Sequence, residues 1–456
     1  MKLTLKQVAE WTKGRVAPEF EDITVNGVTS DSRETKEGQL FIPLRGETFD
    51  GHDYISAAMV RCAATLSEQP LDPAVPAVYV EDTLRAYGDL ARCYREQLSL
   101  SVIGVTGSVG KTTTKEMIAK VLSARYRTAK NKGNHNNHIG LPETILSIEP
   151  DTEAAVLEMG MNHFGEMSYL TSIAQPDMVV MTNIGTAHIE HLGSREGILR
   201  AKLEVTEGLS PDGLLLFNGD EPLLWNLRGT LPFRMLFFGV ENAECDLRAR
   251  DISLEEDGVR FRAVGLGADF RVFVPAPGRH NVYNALAALT VGLTAGVEPE
   301  AMCTALKDFV NTGMRQHICE ENGFTIIEDC YNAGPESMEA ALNVLGERPC
   351  QGRRIAVLGD MLELGNCSMA EHYKVGRQVA SRADLFFAYG PDAERMVTGA
   401  ITGGMPANCV WHFDNQEQMA KMLRSRAKPG DLLLFKASHG MRLERVLQMF
   451  LKPEEA

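Results

Sequence analysis

The chain has 456 residues, of which 44% are hydrophobic and 23% charged, and a formal net charge of −15. Those figures describe a globular protein of two or three domains, and the acidic balance argues against non-specific nucleic-acid binding, which rewards basic surfaces. Nine cysteines without a Cys-x-x-Cys pair read as reduced thiols, the opening MKLTLKQVAEWTKG lacks a signal-peptide layout, and no run approaches the roughly 18 apolar residues that span a bilayer, so a cytoplasmic protein without stable membrane insertion is expected.

The first hundred residues carry short apolar segments at Gln39 to Leu44 and Ala77 to Val80, interrupted by Pro70, Pro73 and Pro76. They read as a small N-terminal domain over 1–83, and a helix from Leu84 to Glu96 leads out of it. The run Leu100 to Val105, the segment VTGSVGKTTTK and a helical stretch from Met117 to Tyr126 give the strand, glycine loop and helix of a P-loop. Apolar runs at Ala154 to Leu157, Met178 to Thr182 and Leu214 to Phe217 follow at α/β spacing and read as buried parallel strands. Asp246 to Val274 alternates about an Asp257-Gly258 turn, the signal of an antiparallel flank, and a helix from His280 to Ala295 closes a central domain over 84–312. A second βα series then predicts strands at Phe324 to Ile327, Ile355 to Leu358, Leu385 to Ala388 and Leu432 to Phe435, with helices at Glu336 to Leu345 and Met369 to Arg382. That makes a C-terminal domain over 313–456, Rossmann-like in rhythm but without G-x-G-x-x-G after its first strand. The fold class is therefore α/β in three domains.

The loop supplies the first chemistry. Gly107 and Gly110 let backbone N–H groups turn toward a polyphosphate, Lys111 adds a cation and Thr112 offers a hydroxyl to magnesium, with Thr106, Ser108, Val109 and Thr113 completing the cradle. In open parallel sheets ligands lie beyond the carboxyl ends of the strands. Glu158, Asn183 with His188, Asp329, Asp360 and Lys436 each end or follow a predicted strand. Glu158 suits a magnesium ligand, with a helix N-terminal charge as its alternative. His188 and His191, like His135 and His138, are spaced i, i+3, but no cysteine lies near enough in sequence to complete a zinc set, which leaves a lone His as a metal ligand or an orienting group. Lys202 falls in a helical pattern where a lysine is ordinarily solvated. His280, Asn281 and Asn284 stand at a helix start and serve either capping or nucleotide binding. The amide-rich run from Asn131 to His138, with Asn134, Asn136 and Asn137, is a loop placed to contact substrate.

With these residues assembled, the chain resembles the Mur ligase family. The resemblance rests on Thr106-Gly-Ser-Val-Gly-Lys-Thr112, GNHNN at 133–137, LEMGMN at 157–162, NIGTAHIEHLGS at 183–194, AKLE at 201–204, GRHNVYN at 278–284 and GMRQ at 313–316. Ser30 to Arg33, Asp50 to Tyr54, Asp329 to Pro335, and Leu358 to Gly365 followed by His372 favour the branch that joins D-alanyl-D-alanine to a UDP-linked tripeptide. Gly334, where the family's YNANP has Asn, and Lys436-Ala-Ser-His439, where it has KGSR, depart from its pattern. The resemblance implies a monomer with an N-terminal domain for the uridine nucleotide, a central ATPase domain with a mostly parallel sheet, and a C-terminal ligase domain. It implies ATP and magnesium as cofactors, and UDP-N-acetylmuramoyl-tripeptide and D-alanyl-D-alanine as substrates of cytoplasmic peptidoglycan precursor synthesis. Lys111, Glu158, His188 and Lys202 become catalytic, and Thr112, Glu158, His188 and a carbamylated Lys202 become metal ligands. Asn281, Asn284, Arg315 and Asp329 would contact the nucleotide. Ser30, Ser32, Arg33 and Arg45 would hold the UDP end, and Asn134, Asn136, Asn137, Asp360, Lys436 and Ser438 other parts of the substrates. Folylpolyglutamate synthase, which resembles the same core but begins almost at its P-loop, and a P-loop NTPase switch are the alternatives.

Overall fold

The computed structural model describes residues 1–311 and 315–452, and over them strands and helices alternate as the sequence predicts. The boundary expected at Thr312 and Gly313 lies outside the described residues. The chain divides into two units, the first holding Met1–Thr106, Arg125–Val180 and Lys202–Leu215, the second Gly107–Ala124, Met181–Ala201 and Leu216–Ala456.

In the first unit, a five-stranded sheet runs in the order Arg15–Val16, Ala77–Tyr79, Ala64–Ser67, Leu40–Phe41, Val28–Thr29, with the first pair antiparallel and the others parallel. A ribbon of Lys2–Thr4 against Thr24–Asn26 leads into the helix Leu5–Thr12, which a Thr4–Gln7 capping box opens. The helix Thr83–Glu96 starts where Asp82 accepts from Arg85 N at 2.8 Å. It buries Tyr87 and Leu90 and packs on Leu5–Thr12 and on the helices Gly140–Leu146 and Glu166–Ala174. Three parallel strands, Thr128–Lys130, Ala154–Glu158 and Ser101–Thr106, pair side by side, with Ala154 opposite both Thr128 and Ser101. Their Val102, Val105, Val156 and Leu157 are wholly buried, which explains the continuous apolar runs.

In the second unit, the P-loop helix spans Lys111–Leu122, starting six residues before the predicted Met117 and ending four before Tyr126. Gly110, at φ 84°, caps it directly behind the loop, and it stops where Ser123, Ala124 and Arg125 have no buried face. The helix His280–Thr294 packs along it through Gly292, where a Cβ would stand 2.6 Å from Val121 Cγ1 and 2.4 Å from Met302 Sδ. The antiparallel flank consists of Leu247–Glu255, Gly258–Gly265 and Ala268–Val274. A six-stranded sheet runs His317–Glu321, Phe324–Asp329, Leu432–Lys436, Arg354–Gly359, Leu385–Tyr389, Val410–Phe413, antiparallel in its first pair and parallel beyond. Alternate residues feed separate cores: Ala356, Leu358, Phe386 and Leu434 on one face, Ile355, Val357, Phe387 and Leu433 on the other. Helices cover both faces, as the Rossmann-like rhythm predicts.

Candidate active site

Gly107 takes φ 140° with a hypothetical Cβ 2.0 Å from Thr182 Oγ1, and one at Gly110 would stand 2.8 Å from Asn284 Oδ1, so both glycines are required by space as well as by backbone conformation. Asn183 Oδ1 accepts from Ser108 N at 3.2 Å and Val109 N at 2.9 Å. Thr182 Oγ1 donates to Val109 O at 2.6 Å, and Gly185 N donates to Ser108 Oγ at 2.9 Å. The segment after Met181 therefore moulds the loop. Lys111 Nζ folds back on Gly107 O at 2.9 Å and Ser108 O at 3.3 Å, carbonyls it can leave for a phosphate. Behind it, the helix directs its first-turn N–H groups and its positive end to the same place. Thr112 is buried, Thr113 is half-buried, and the Thr106 hydroxyl is buried without a partner among the described residues.

Asn284 Oδ1 accepts from Thr114 Oγ1 at 3.1 Å, and its Nδ2 donates to Asn281 Oδ1 at 3.0 Å; Asn281 Nδ2 in turn donates to Pro277 O at 2.9 Å. Asn284 thus ties the helix His280–Thr294 to the P-loop helix while Asn281 braces Asn284 from the turn before it, and this scaffolding role is the one their present bonds express. His280 Nε2 pairs with Gln316 Oε1 at 3.0 Å, and burial, with Lys436 nearby, pushes its pKa down to about 4.

In the first unit, Glu158 is 1% exposed, and Asn136 Nδ2 donates to its Oε1 at 2.7 Å. The amide of Asn131 clamps the Glu158 backbone, donating to its O at 2.9 Å and accepting from its N at 2.8 Å. The amide-rich loop is thus built around the strand-end acid. Asn137 Oδ1 accepts from Ile139 N and Gly140 N and so starts the next helix, while Asn134 is exposed. Lys202 is 2% exposed, which removes the solvated-surface alternative. Glu158 offers this unit a carboxylate, a hard donor of the kind magnesium takes, as the Thr112 hydroxyl does in the second unit. Among the described residues no three His, Cys, Asp or Glu side chains gather as a metal cluster.

In the second unit, the strand ends Asp329 and Lys436 stand opposite one another, Nζ donating to Oδ2 at 2.8 Å and to Asn332 O at 2.8 Å. Burial raises the Asp329 pKa, and the Lys436 charge opposes it. Arg315 lies 4.0 Å above the Tyr331 ring. Ser438 accepts from Leu362 N at 2.9 Å and its N donates to Asp360 O at 3.1 Å, fastening the loop after Gly359. Asp360 Oδ2 accepts from Asp392 N at 3.2 Å, next to the helix Ala393–Thr402, and its Oδ1 is buried without a hydrogen-bond partner among the described residues. His372 Nε2 accepts from Met361 N at 3.0 Å and lies 3.7 Å from Asp360 Oδ1. Asp360 and Ser438, expected to touch substrate, here hold a loop. His188 Nδ1 meets Glu363 Oε2 at 2.5 Å, and Thr186 Oγ1 donates to both Glu336 carboxylate oxygens at 3.2 Å.

Near the N-terminus, Asp31 holds Arg33 through its backbone N and guanidinium, a bond that lowers the Asp31 pKa to about 2 and leaves the Arg33 side chain 86% exposed. Arg45 bridges Glu68 at 2.7 Å and Asp50 at 3.2 Å, and Ser30 and Ser32 are half-exposed. Sequence reasoning missed Thr182, Glu336 and Glu363. Only Glu363 left a signal, as the one charge between two leucines in Met361-Leu-Glu-Leu-Gly365.

The chain matches the Mur ligase middle domain over residues 105–292, the Mur ligase glutamate ligase domain over 314–439 and the Mur ligase family catalytic domain over 24–66. It is 41% identical to the "UDP-N-acetylmuramoyl-tripeptide--D-alanyl-D-alanine ligase" of Bacillus subtilis (strain 168), covering 98% of each chain. Among solved structures, MurF from Acinetobacter baumannii superposes with a TM-score of 0.91 at 30% identity over 99% of both chains. The MurF ligase of Thermotoga maritima in complex with ADP superposes with 0.82 at 31% identity over 93% of this chain and 97% of that one. With its three-domain α/β fold, the chain belongs to the Mur ligase family and, within it, to the branch of these D-alanyl-D-alanine ligases.

Proposed function

We propose that this chain joins D-alanyl-D-alanine to UDP-N-acetylmuramoyl-tripeptide with ATP as the energy source, making an amide bond in peptidoglycan precursor synthesis. The observation that carries this is the moulded P-loop in a chain 41% identical, end to end, to a ligase named for that reaction. A carboxylate oxygen of the tripeptide attacks the γ-phosphorus, the bond to ADP breaks, and an acyl phosphate results. The dipeptide amine then attacks the acyl carbon, phosphate leaves with the C–O electron pair, and the amine gives up its proton.

The residues take their parts as follows. Lys111 leaves the carbonyls of Gly107 and Ser108 for the transferring phosphoryl group, and the N–H groups of 107–113 bind the neighbouring phosphates. Thr112 and Glu158 would each offer magnesium a hard oxygen ligand; the ion would supply charge neutralisation at the phosphoryl oxygens when bound. His188 and a carbamylated Lys202 are the further ligands the family resemblance implies. A lysine only 2% exposed is suited to that modification, because carbamylation exchanges a costly buried cation for an anion that a metal neutralises. Asn281, Asn284, Arg315 and Asp329 contact the nucleotide once it displaces their present arrangement. Ser30, Ser32, Arg33 and Arg45 receive the UDP end, and Asn134, Asn136, Asn137, Asp360, Lys436 and Ser438 the rest. The domains are 1–83, 84–312 and 313–456, and the protein works in the cytoplasm as a monomer. No described helix is long and apolar enough to cross a membrane.

Phosphate release should require the UDP-tripeptide and D-alanyl-D-alanine together, with a product heavier by the dipeptide less water. Phosphate release independent of both would instead return the chain to the NTPase-switch alternative.

A further inference from the structure

The loop that follows the strand Arg354–Gly359 seats on the short helix Ile189–Leu192 at three points. Glu363 Oε2 lies 2.5 Å from His188 Nδ1, Glu190 N donates to Glu363 O at 3.4 Å, and a Cβ on Gly365 would stand 3.1 Å from the Cβ of Glu190. His188 and Glu363 both hold left-handed backbones, φ 64° and 63°, which non-glycine residues keep only where their surroundings over-determine them. Those surroundings are visible. Met361 N is bound by the buried His372 and Leu362 N by Ser438, so the residues just before Glu363 are fixed. On the His188 side, Asn183 and Gly185, a few residues earlier, bind the P-loop.

We propose that Glu363 is a positioning residue for His188. A carboxylate accepts from Nδ1–H, so of the two tautomers of the imidazole it selects the one with its proton on Nδ1 and its lone pair on Nε2, the tautomer a metal can use. A carboxylate behind a ligating imidazole also locks the ring and raises its basicity. Glu363 lies in the stretch matching the glutamate ligase domain and His188 in the stretch matching the middle domain, so seating of the acceptor-side loop sets the chemistry of the nucleotide side. The metal part rests on reading His188 as a metal ligand.

The test uses the full chain with ¹⁵N-histidine, reading tautomers by long-range ¹H–¹⁵N correlation, with His188 assigned by its loss in His188→Gln. Manganese binding in the presence of ADP is followed by the free-ion paramagnetic signal. Asparagine tolerates the left-handed backbone and is too short to reach, so Glu363→Asn should release His188 from the Nδ1–H form and weaken manganese binding about tenfold. Glu363→Gln keeps an acceptor without the charge and should restore the tautomer and part of the affinity. An Nδ1–H His188 with wild-type manganese affinity in Glu363→Asn, while His188→Gln loses affinity, would overturn the positioning role and leave the ligand reading standing. Wild-type manganese affinity in His188→Gln would instead overturn the ligand reading, and the metal part of this proposal with it.

Discussion

Two lysines given catalytic parts occupy opposite physical situations. Lys111 is held over loop carbonyls by two hydrogen bonds and takes no part in a core, whereas Lys202 is 2% exposed. Lys111→Ala should therefore lower kcat by about 100-fold or more while the unfolding midpoint stays near that of the wild type. Steady-state turnover beside thermal melting checks both halves, and wild-type kcat would remove Lys111 from the phosphate site. Lys202→Ala should be inactive and regain part of its activity with added acetate or formate, which replace the missing anion; full activity without them would end the carbamate assignment. At His280 the folded pKa, about 4, lies below the ordinary value of 6.5, so between those pH values the unfolded chain binds the extra proton. Its contribution to stability is complete above pH 6.5 and is lost as pH falls toward 4. Urea midpoints at pH 7 and pH 5 should differ more in the wild type than in His280→Gln, since the opposing contribution of Asp329 is common to both.

At the scale of elements, the crossing of the helices Lys111–Leu122 and His280–Thr294 depends on a missing side chain. Gly292→Ala would press a methyl onto Val121 and Met302 and should cost roughly 1–3 kcal/mol, read from denaturant unfolding. It should also raise KM for ATP, because the same helix holds Asn284 against the P-loop helix. Elements with buried apolar runs were legible in the sequence: the strands at 154–158, 324–329 and 432–436 and the hairpins of 247–274 lie where periodicity puts them. The P-loop helix was misjudged at its start because Lys-Thr-Thr-Thr has no apolar period, and the glycine cap that begins the helix acts through backbone conformation alone. The helices Pro299–Lys307 and Glu444–Leu451 went unpredicted; the first opens on Pro299 at its N-terminus and exposes most of its surface. At the site, motif residues such as Lys111 and Glu158 were readable one by one. Glu336 was not, and Glu363 showed only as a charge between leucines, since each gains its meaning from a partner about 150 to 175 positions away.

For the molecule as a whole, substrates that bind only the folded state must raise its stability. A non-hydrolysable ATP analogue with magnesium, at about 100 times its Kd, should add roughly 2.7 kcal/mol, and UDP-tripeptide a further increment. Calorimetry that shows no upward shift in Tm with either ligand would contradict the proposed sites. The six-stranded sheet adds a consequence in time. Leu432–Lys436 is inserted between Phe324–Asp329 and Arg354–Gly359, although 107 residues separate Asp329 from Lys436 along the chain. During synthesis the first strand of this parallel set must wait, its edge unpaired, until nearly all the intervening helices have left the ribosome. Leu434 and Phe435 complete the two cores on either face, so neither core can close earlier. A nascent chain stalled before Leu432 should be cut readily by protease after Phe324 and should recruit chaperones, whereas one extended past the helix Glu444–Leu451 should resist. The Asp329–Lys436 pair is thus among the last contacts the ribosome releases, and a protein interrupted late in its manufacture carries its nucleotide loop but no finished acceptor domain.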